Sequence, residues 1–468
     1  MSGAEKILVL GADAAGMSAA HQAIRSARAA GREAEVVALE KTPHTSYSAC
    51  GLPYWVAGDV DTADELIARS PDRHREMGVD LRTGTMATRL DLDRQLVSYV
   101  DVSGAAGTLE YDQLVIATGA SPIFPDWMRR ESGDLYGGVA AVKTLVDGEE
   151  WIQRLTRRFE NDGDHHGSVV VAGGGYIGVE MAEAARRRGY AVTLLTRSRV
   201  MSNLDEDMSE RIEKALTEAG ITVVPHAVVD GLQADETGWV TRVVASDGNS
   251  YPCDLLVSAI GITPNTAFAV EAGLPVGRWG GLRADPRGQV APHVWAAGDC
   301  CEVRNRVSDT WAFLPLGTHA NKMGKAVGAN LFGGQSTFDG ALGTAITRFV
   351  HDGIHLEIAR TGLSTAEATA AGIDVVSLAT DGRTASGYMP ESSRMSTKIL
   401  AERGTRRLLG AQIIGGQGAG KRIDTVAAAL WGGLSIDDLA AMDLAYAPPF
   451  ATVWEAVQLA ARRLADRF

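Results

Sequence analysis

Two stretches of the chain repeat one hydrophobic pattern. Each opens with a short, continuously apolar run, breaks at clustered glycines, passes through a small-residue segment with helical spacing, and returns to a second apolar run ending in a polar residue. The first stretch leads from Ile7 through Gly11 and Gly16 to Glu35–Glu40; the second leads from Ser168 through Gly173, Gly175 and Gly178 to Val192–Thr196. Apolar β-branched runs bounded by glycine read as strands buried on both faces, so each stretch predicts a parallel βαβ unit. From about Thr384 the pattern changes. Strands at Ser396–Leu400 and Leu408–Ile414, then helices over about 420–433 and 453–465, predict an α+β unit. The polar piece Asn161–Gly167 reads as an exposed connector.

At 468 residues, two to four domains are expected. The 45 basic and 58 acidic residues leave a net charge of −13, which disfavours nucleic acid or an anionic membrane as partner. The N-terminal apolar run is too short for a signal peptide, and no segment approaches the ~18 apolar residues of a membrane span. Four cysteines are too few for a disulfide scaffold. A soluble enzyme of a reducing cytoplasm is expected, in which any disulfide is chemical rather than structural.

A glycine cluster after a strand lets the backbone approach a pyrophosphate, while the helix that follows aims its amides and dipole at the same charge. The first unit has Gly11 and Gly16 but carries Asp13 in the middle position; Glu40, at the end of its second strand, suits both ribose hydroxyls of an adenosine. The second unit has all three glycines. Its second strand ends in Thr196, followed by Arg197, Ser198 and Arg199, so no carboxylate repels a 2′-phosphate and two arginines are available to bind it. This favours NADPH over NADH; the alternative is that both arginines are solvated surface charges.

Cys50 lies ten residues beyond Glu40, within reach of a cofactor whose adenosine is held there. A helix beginning after it would stabilise its thiolate, the form that attacks disulfides; the other reading is a buried structural cysteine. Cys253, in an expected strand, reads as inert, and the neighbours Cys300 and Cys301 would form a strained disulfide. With no second cysteine close to Cys50, the sulfur must cycle through a mixed disulfide or a sulfenic acid. No histidine follows His355, which leaves Tyr388 and Tyr446 as proton donors from the C-terminal part, or as ordinary packing. No metal site is expected.

With these motifs in place, the chain resembles over essentially its full length the pyridine nucleotide-disulfide oxidoreductases, and among them the single-cysteine branch of CoA-disulfide reductases, NADH oxidases and NADH peroxidases. The resemblance is carried by GADAAGMSAA with Glu40, SYSACGLPYW, IATGA (116–120), GGGYIGVE (173–180), AAGDC (296–300), LPLGTHANKMG (314–324), and GGQGAGKRID with DLAYAPPF. It implies an α/β fold with two Rossmann-like domains and a C-terminal α+β dimerisation domain. Residues 1–120 and 256–335 would bind FAD, 121–255 NAD(P)H, and 336–468 would form a homodimer whose partner completes each active site. Gly11, Gly16 and Glu40 would hold the adenosine diphosphate of FAD, and Asp299 its ribitol or pyrophosphate. Gly173, Gly175, Gly178, Thr196, Arg197 and Arg199 would hold the nicotinamide nucleotide, Tyr176 would shield the flavin until the nicotinamide displaces it, and Glu180 would help seat that ring. Ala14, Ala15, Lys41, Ser48, Ala117, Thr118, Gly119, Ile177, Gly261, Gly298, Leu316, Gly317, Thr318 and Ala320 would be further cofactor-binding residues. Tyr388 and Tyr446 match the tyrosine pair of CoA-disulfide reductases. Three departures leave the acceptor open: Ala14 stands where oxidases and peroxidases often carry histidine, Ala49 precedes the cysteine, and the proline many relatives have near 456 is missing. The expected reaction is reduction of a low-molecular-weight disulfide, CoA disulfide first. An oxidase or peroxidase working through a sulfenic acid, or a reductase of a quinone, metal or hypohalous-type oxidant, is the alternative.

Overall fold

Strand β1 (Glu5–Leu10) runs into helix α1 (Ala14–Ala29) at the first glycine cluster and returns as β2 (Ala34–Glu40), parallel to β1 with Ile7 opposite Val36. The computed structural model describes residues 4–157 and 166–468, so residues 161–165 of the expected connector lie outside the described residues. In the first sheet the strands lie in the order Gln289–Ala291, Val294–Ala296, Gln113–Ile116, β1, β2, Val79–Thr83. Every neighbouring pair is parallel except the first. Its centre is buried from Ile7 to Leu10 and from Leu114 to Ile116, as a sheet covered on both faces requires. One cover is α1, against which the Gly317–Asn330 helix packs closely. A Cβ on Gly324 would lie 2.1 Å from the Ala15 carbonyl oxygen, and one on Gly328 2.3 Å from that of Ala19.

The second unit is a five-stranded parallel sheet in the order Thr222–Val224, Ala191–Leu195, Ser168–Ala172, Leu255–Ser258, Val139–Ala140. The chain leaves and re-enters the first unit through the antiparallel pair Ala120–Pro122 and Ile262–Pro264. Cys253 is buried in the turn between the Ser250–Pro252 and Leu255–Ser258 strands rather than in a strand, with its Sγ 3.3 Å from the Leu255 carbonyl oxygen.

The C-terminal part holds a five-stranded antiparallel sheet: Ala345–His351, Ile354–Gly362, Leu408–Gly415, Arg394–Glu402, Val375–Arg383. Three of these strands precede Thr384, where the pattern was expected to change. Their alternation is broken by polar residues such as Thr347, Arg348 and Arg360, which hydrogen-bond to the second nucleotide unit or the Cys50 region. The last helix starts at Ala456, not 453, because the Glu455 carboxylate accepts from the Val457 amide and caps it. The segment expected as helix over 420–433 is a 3-10 turn, Gly420–Arg422, followed by the helix Ile423–Trp431. Among the described residues no helix is long and apolar enough to cross a membrane.

Candidate functional site

The first cradle is shaped by contacts that exclude side chains. Gly11 has φ +94°, and a Cβ there would meet the Ala117 oxygen at 2.2 Å; a Cβ on Gly16 would meet the Gly11 oxygen at 1.8 Å. Glu40 is buried at the end of β2. Its Oε2 accepts from the Ala12 amide (2.9 Å), and its Oε1 from the Thr42 amide and hydroxyl (2.9 and 2.8 Å). The Thr45 hydroxyl ties the loop beyond β2 to the Ala12 carbonyl. Gly298 (φ +87°) brings the loop after the Val294–Ala296 strand against Ala15 and Ala320, and Asp299 next to it lies 3.6 Å from Lys143. The start of α1, Glu40, Ala117, Asp299 and the start of the Gly317–Asn330 helix are thus gathered at one edge of the sheet. Lys41, Ser48, Gly317 and Thr318 are exposed at that end, with Ala14 and Leu316 half-buried. Thr118 donates to the Asn265 carbonyl (2.7 Å), while Gly261 (φ +126°) sits at the crossing pair, its carbonyl accepting from Ile123 (3.0 Å).

The second cradle repeats this construction with one difference. Cβ atoms on Gly173 and Gly178 would meet the Ala259 and Gly173 oxygens at 2.1 and 1.9 Å, but one on Gly175 would meet nothing within 4 Å. The protein's own packing does not demand Gly175; its bare backbone leaves room for close approach by something else. Buried Thr196 donates to the Arg199 carbonyl (3.1 Å), Arg197 is exposed, and Arg199 lies 3.8 Å from Glu206 with its Nε buried and unpartnered. Tyr176 opens the helix Tyr176–Arg187, its hydroxyl accepting from Asn203 at 3.4 Å, and Ile177 beside it is exposed.

Cys50 is exposed, whereas Cys253, Cys300 and Cys301 are buried. It sits in the 3-10 turn Ala49–Gly51, which leads into the expected helix, Leu52–Ala57. Its surroundings nevertheless push the thiol pKa up. The weight of nearby protein and the Glu180, Asp299 and Asp13 carboxylates raise it, and Lys143 acts the other way. The sulfurs of Cys300 and Cys301 lie 3.9 Å apart, without a bond between them.

Glu180 lies one turn into the Tyr176–Arg187 helix, where its Oε1 accepts from the Thr347 hydroxyl (2.6 Å) and from Tyr54 (3.4 Å). Burial pushes this carboxyl up to about 7. Tyr54, Thr347 and Lys143 were not singled out in the sequence. Tyr54 carried a local signal, four residues past Cys50 and one helical turn on; the other two come from distant segments. Tyr388 and Tyr446 are 77% and 46% exposed on two surface segments joined by the Ser386 amide donating to the Pro448 carbonyl (2.9 Å). Neither hydroxyl is hydrogen-bonded to Cys50 or to any other described residue of the chain.

The family model of the pyridine nucleotide-disulphide oxidoreductases matches residues 5–324, and that of their dimerisation domain residues 353–457. A NAD(P)H coenzyme A polysulfide/persulfide reductase of Pyrococcus horikoshii is 34% identical over 466 residues, covering 98% of each chain. The solved structure of reduced Bacillus anthracis CoADR-RHD superposes with a TM-score of 0.91 at 27% identity, over 99% of this chain and 81% of that one. An engineered water-forming NADPH oxidase bound to NADPH, made from the Lactobacillus brevis NADH oxidase, superposes with a TM-score of 0.89 at 25% identity, over 99% and 98%. Among its substitutions, consecutive aspartate, alanine and methionine residues are replaced by alanine, arginine and serine.

Proposed function

The chain belongs to the pyridine nucleotide-disulphide oxidoreductase family and is a flavin-dependent NAD(P)H oxidoreductase, and from that premise we propose that it oxidises NADPH and delivers the electrons through Cys50 to a low-molecular-weight disulfide, CoA disulfide first. The observation that carries this reading is the isolation of Cys50. It is the exposed cysteine among the described residues and the other three are buried, so where Cys50 forms a disulfide in turnover its second sulfur is supplied by the substrate. The likeness to the coenzyme A polysulfide/persulfide reductase of Pyrococcus horikoshii extends the proposed substrate class to CoA persulfides.

FAD, when bound, carries the two electrons of a nicotinamide hydride to sulfur. The Gly11–Gly16 cradle with Glu40 and Asp299 would hold it, and the Gly173–Gly178 cradle would hold NADPH. The bare Gly175 supports the second assignment, as does the run Thr196-Arg197-Ser198, which parallels the alanine-arginine-serine run of the engineered NADPH oxidase. Cys50 thiolate attacks a disulfide RSSR, forming Cys50–S–S–R and releasing RS⁻. Two electrons then cleave that bond, restoring Cys50–S⁻ and a second RS⁻, and each RS⁻ leaves as RSH after taking a proton. Tyr446 and Tyr388 of the partner subunit are the donors in this reading, and the exposed apolar face that carries them, with Phe450, Val453 and Trp454, is the surface a second copy would cover.

A second reading, an oxidase cycling Cys50 through sulfenic acid, is favoured by the likeness to the water-forming enzyme and opposed by Ala14. Mass spectrometry of the isolated protein, denatured without reductant and mapped to peptides, separates the two. An adduct on Cys50 that dithiothreitol releases, together with NADPH oxidation driven by CoA disulfide, is the expected result. One or two oxygens on Cys50, with NADPH oxidation driven by dioxygen alone, would replace this reading with the oxidase.

A further inference from the structure

Asp13 is the charged residue of the first glycine motif, and the proposed function gives it no part. It stands where the pattern otherwise has glycine, immediately before α1, and its side chain does not cap that helix. The half-buried carboxyl is surrounded from several elements: Glu40 at the end of β2, Lys143 before the Leu145–Arg154 helix, Asp299 after the Val294–Ala296 strand, and the Ala14 amide of α1. Tyr47 and Cys50, in the segment after β2, feel its charge in turn. The Ala12 amide before Asp13 donates to the Glu40 carboxylate (2.9 Å), and Ala15 after it packs against Gly298 next to Asp299, so Asp13 lies on the stretch between Glu40, which suits an adenosine ribose, and Asp299, which suits the ribitol end. The part of FAD between those two points is the pyrophosphate. An ionised Asp13 would face that dianion at the mouth of a helix whose amides otherwise attract it. Burial first, then Glu40 and Asp299, already hold this carboxyl up at about 6, against the opposing pull of Lys143 and the Ala14 amide.

We propose that Asp13 is a proton-linked cofactor-binding residue: the pyrophosphate of FAD binds with the Asp13 carboxyl protonated, its O–H donating to a phosphate oxygen, so that binding takes up one proton from solvent near neutral pH. The proposal rests on the placement of FAD in the first cradle. The sign follows from linkage. Below the value of the free protein, both states carry the proton and affinity is level. Above it, and up to the higher value imposed by the adjacent phosphate, the bound state holds one proton more, and affinity falls by up to about tenfold per pH unit. Glu40, Asp299, Lys143, Tyr47 and Cys50 face the same space, and comparison with the Asp13→Asn variant isolates Asp13 from them.

The test dilutes holoenzyme and Asp13→Asn holoenzyme at pH 5.5 to 9 and reads released FAD by its fluorescence. Wild-type affinity should fall with a slope approaching tenfold per pH unit above pH 6, while the variant stays level and binds at least about tenfold tighter at pH 8.5. Calorimetry of FAD rebinding in buffers of different ionisation enthalpy should find close to one proton taken up by the wild type at pH 7.5. Parallel pH curves for the two proteins, or no proton uptake, would overturn the proposal while leaving FAD in the first cradle; failure to bind FAD even at pH 5.5 would overturn that placement as well.

Discussion

Two glutamates one helical turn apart are both pushed up by burial, but the neighbours that oppose the push differ. Glu183 accepts from the Val350 amide (3.0 Å) and from Arg187 (3.1 Å), whereas Glu180 has two hydroxyls and no cation within ion-pair distance among the described residues. Glu180 titrates near neutrality, and once ionised it opposes the Cys50 thiolate. Glu180→Gln removes that charge, so the thiol should ionise at lower pH in the pH profile of iodoacetamide alkylation of Cys50. An unchanged midpoint would remove Glu180 from the electrostatics of the sulfur. At the other end of the nucleotide site, Arg197→Ala with Arg199→Ala should raise KM for NADPH by about 10–100-fold and leave that for NADH nearly unchanged, since only the 2′-phosphate distinguishes them. An unchanged KM for NADPH would return these arginines to solvated surface charges, and equal losses for both nucleotides would place them on a part the two share.

At the scale of elements, the pairing of α1 with the Gly317–Asn330 helix sets the geometry of the first cradle. Both helix starts converge on Gly298, and Gly324 permits their backbones to touch. Gly324→Ala forces the helices apart at Ala15, with an expected cost of about 1–3 kcal/mol, visible as a lower Tm and faster loss of FAD on dilution. Retention of both would mean that the contact relaxes without strain. The βαβ units were legible because everything that makes them is local: apolar runs, glycines two to five residues apart, and a polar residue closing β2. The C-terminal sheet was legible only in Arg394–Glu402 and Leu408–Gly415, its most continuously buried strands. In Ile354–Gly362, Glu357 and Arg360 interrupt the alternation because they serve tertiary partners: the Gly418 and Gly420 amides and the Asn203 carbonyl.

At the scale of the molecule, three units meet behind the reactive sulfur. Asp59, just past the Cys50 helix, pairs with Arg187 of the second nucleotide unit and with Arg348 of the C-terminal sheet, both at 2.6 Å. Those partners lie 128 and 289 residues away, and a single charge in a sequence carries no mark of so distant a mate. Lys143 and Thr347 escaped sequence reasoning for the same reason, while Cys50 and the glycine cradles stood out because their chemistry is written in consecutive residues. If each site takes Cys50 from one subunit and Tyr446 from the other, mixing Cys50→Ser and Tyr446→Phe dimers and letting subunits reassort should restore about a quarter of wild-type activity, because half the dimers are mixed and each holds one intact site. No recovery would place both residues in one subunit. The first sheet has a further consequence for how the protein is made. Its Val294–Ala296 strand joins Gln113–Ile116 only after the whole second unit has left the ribosome, an interval of roughly 10–40 s at ordinary translation rates. During synthesis the second nucleotide unit can close on itself while the first waits with an apolar strand edge uncovered, so it is the N-terminal half, made first and finished last, that needs protection by chaperones.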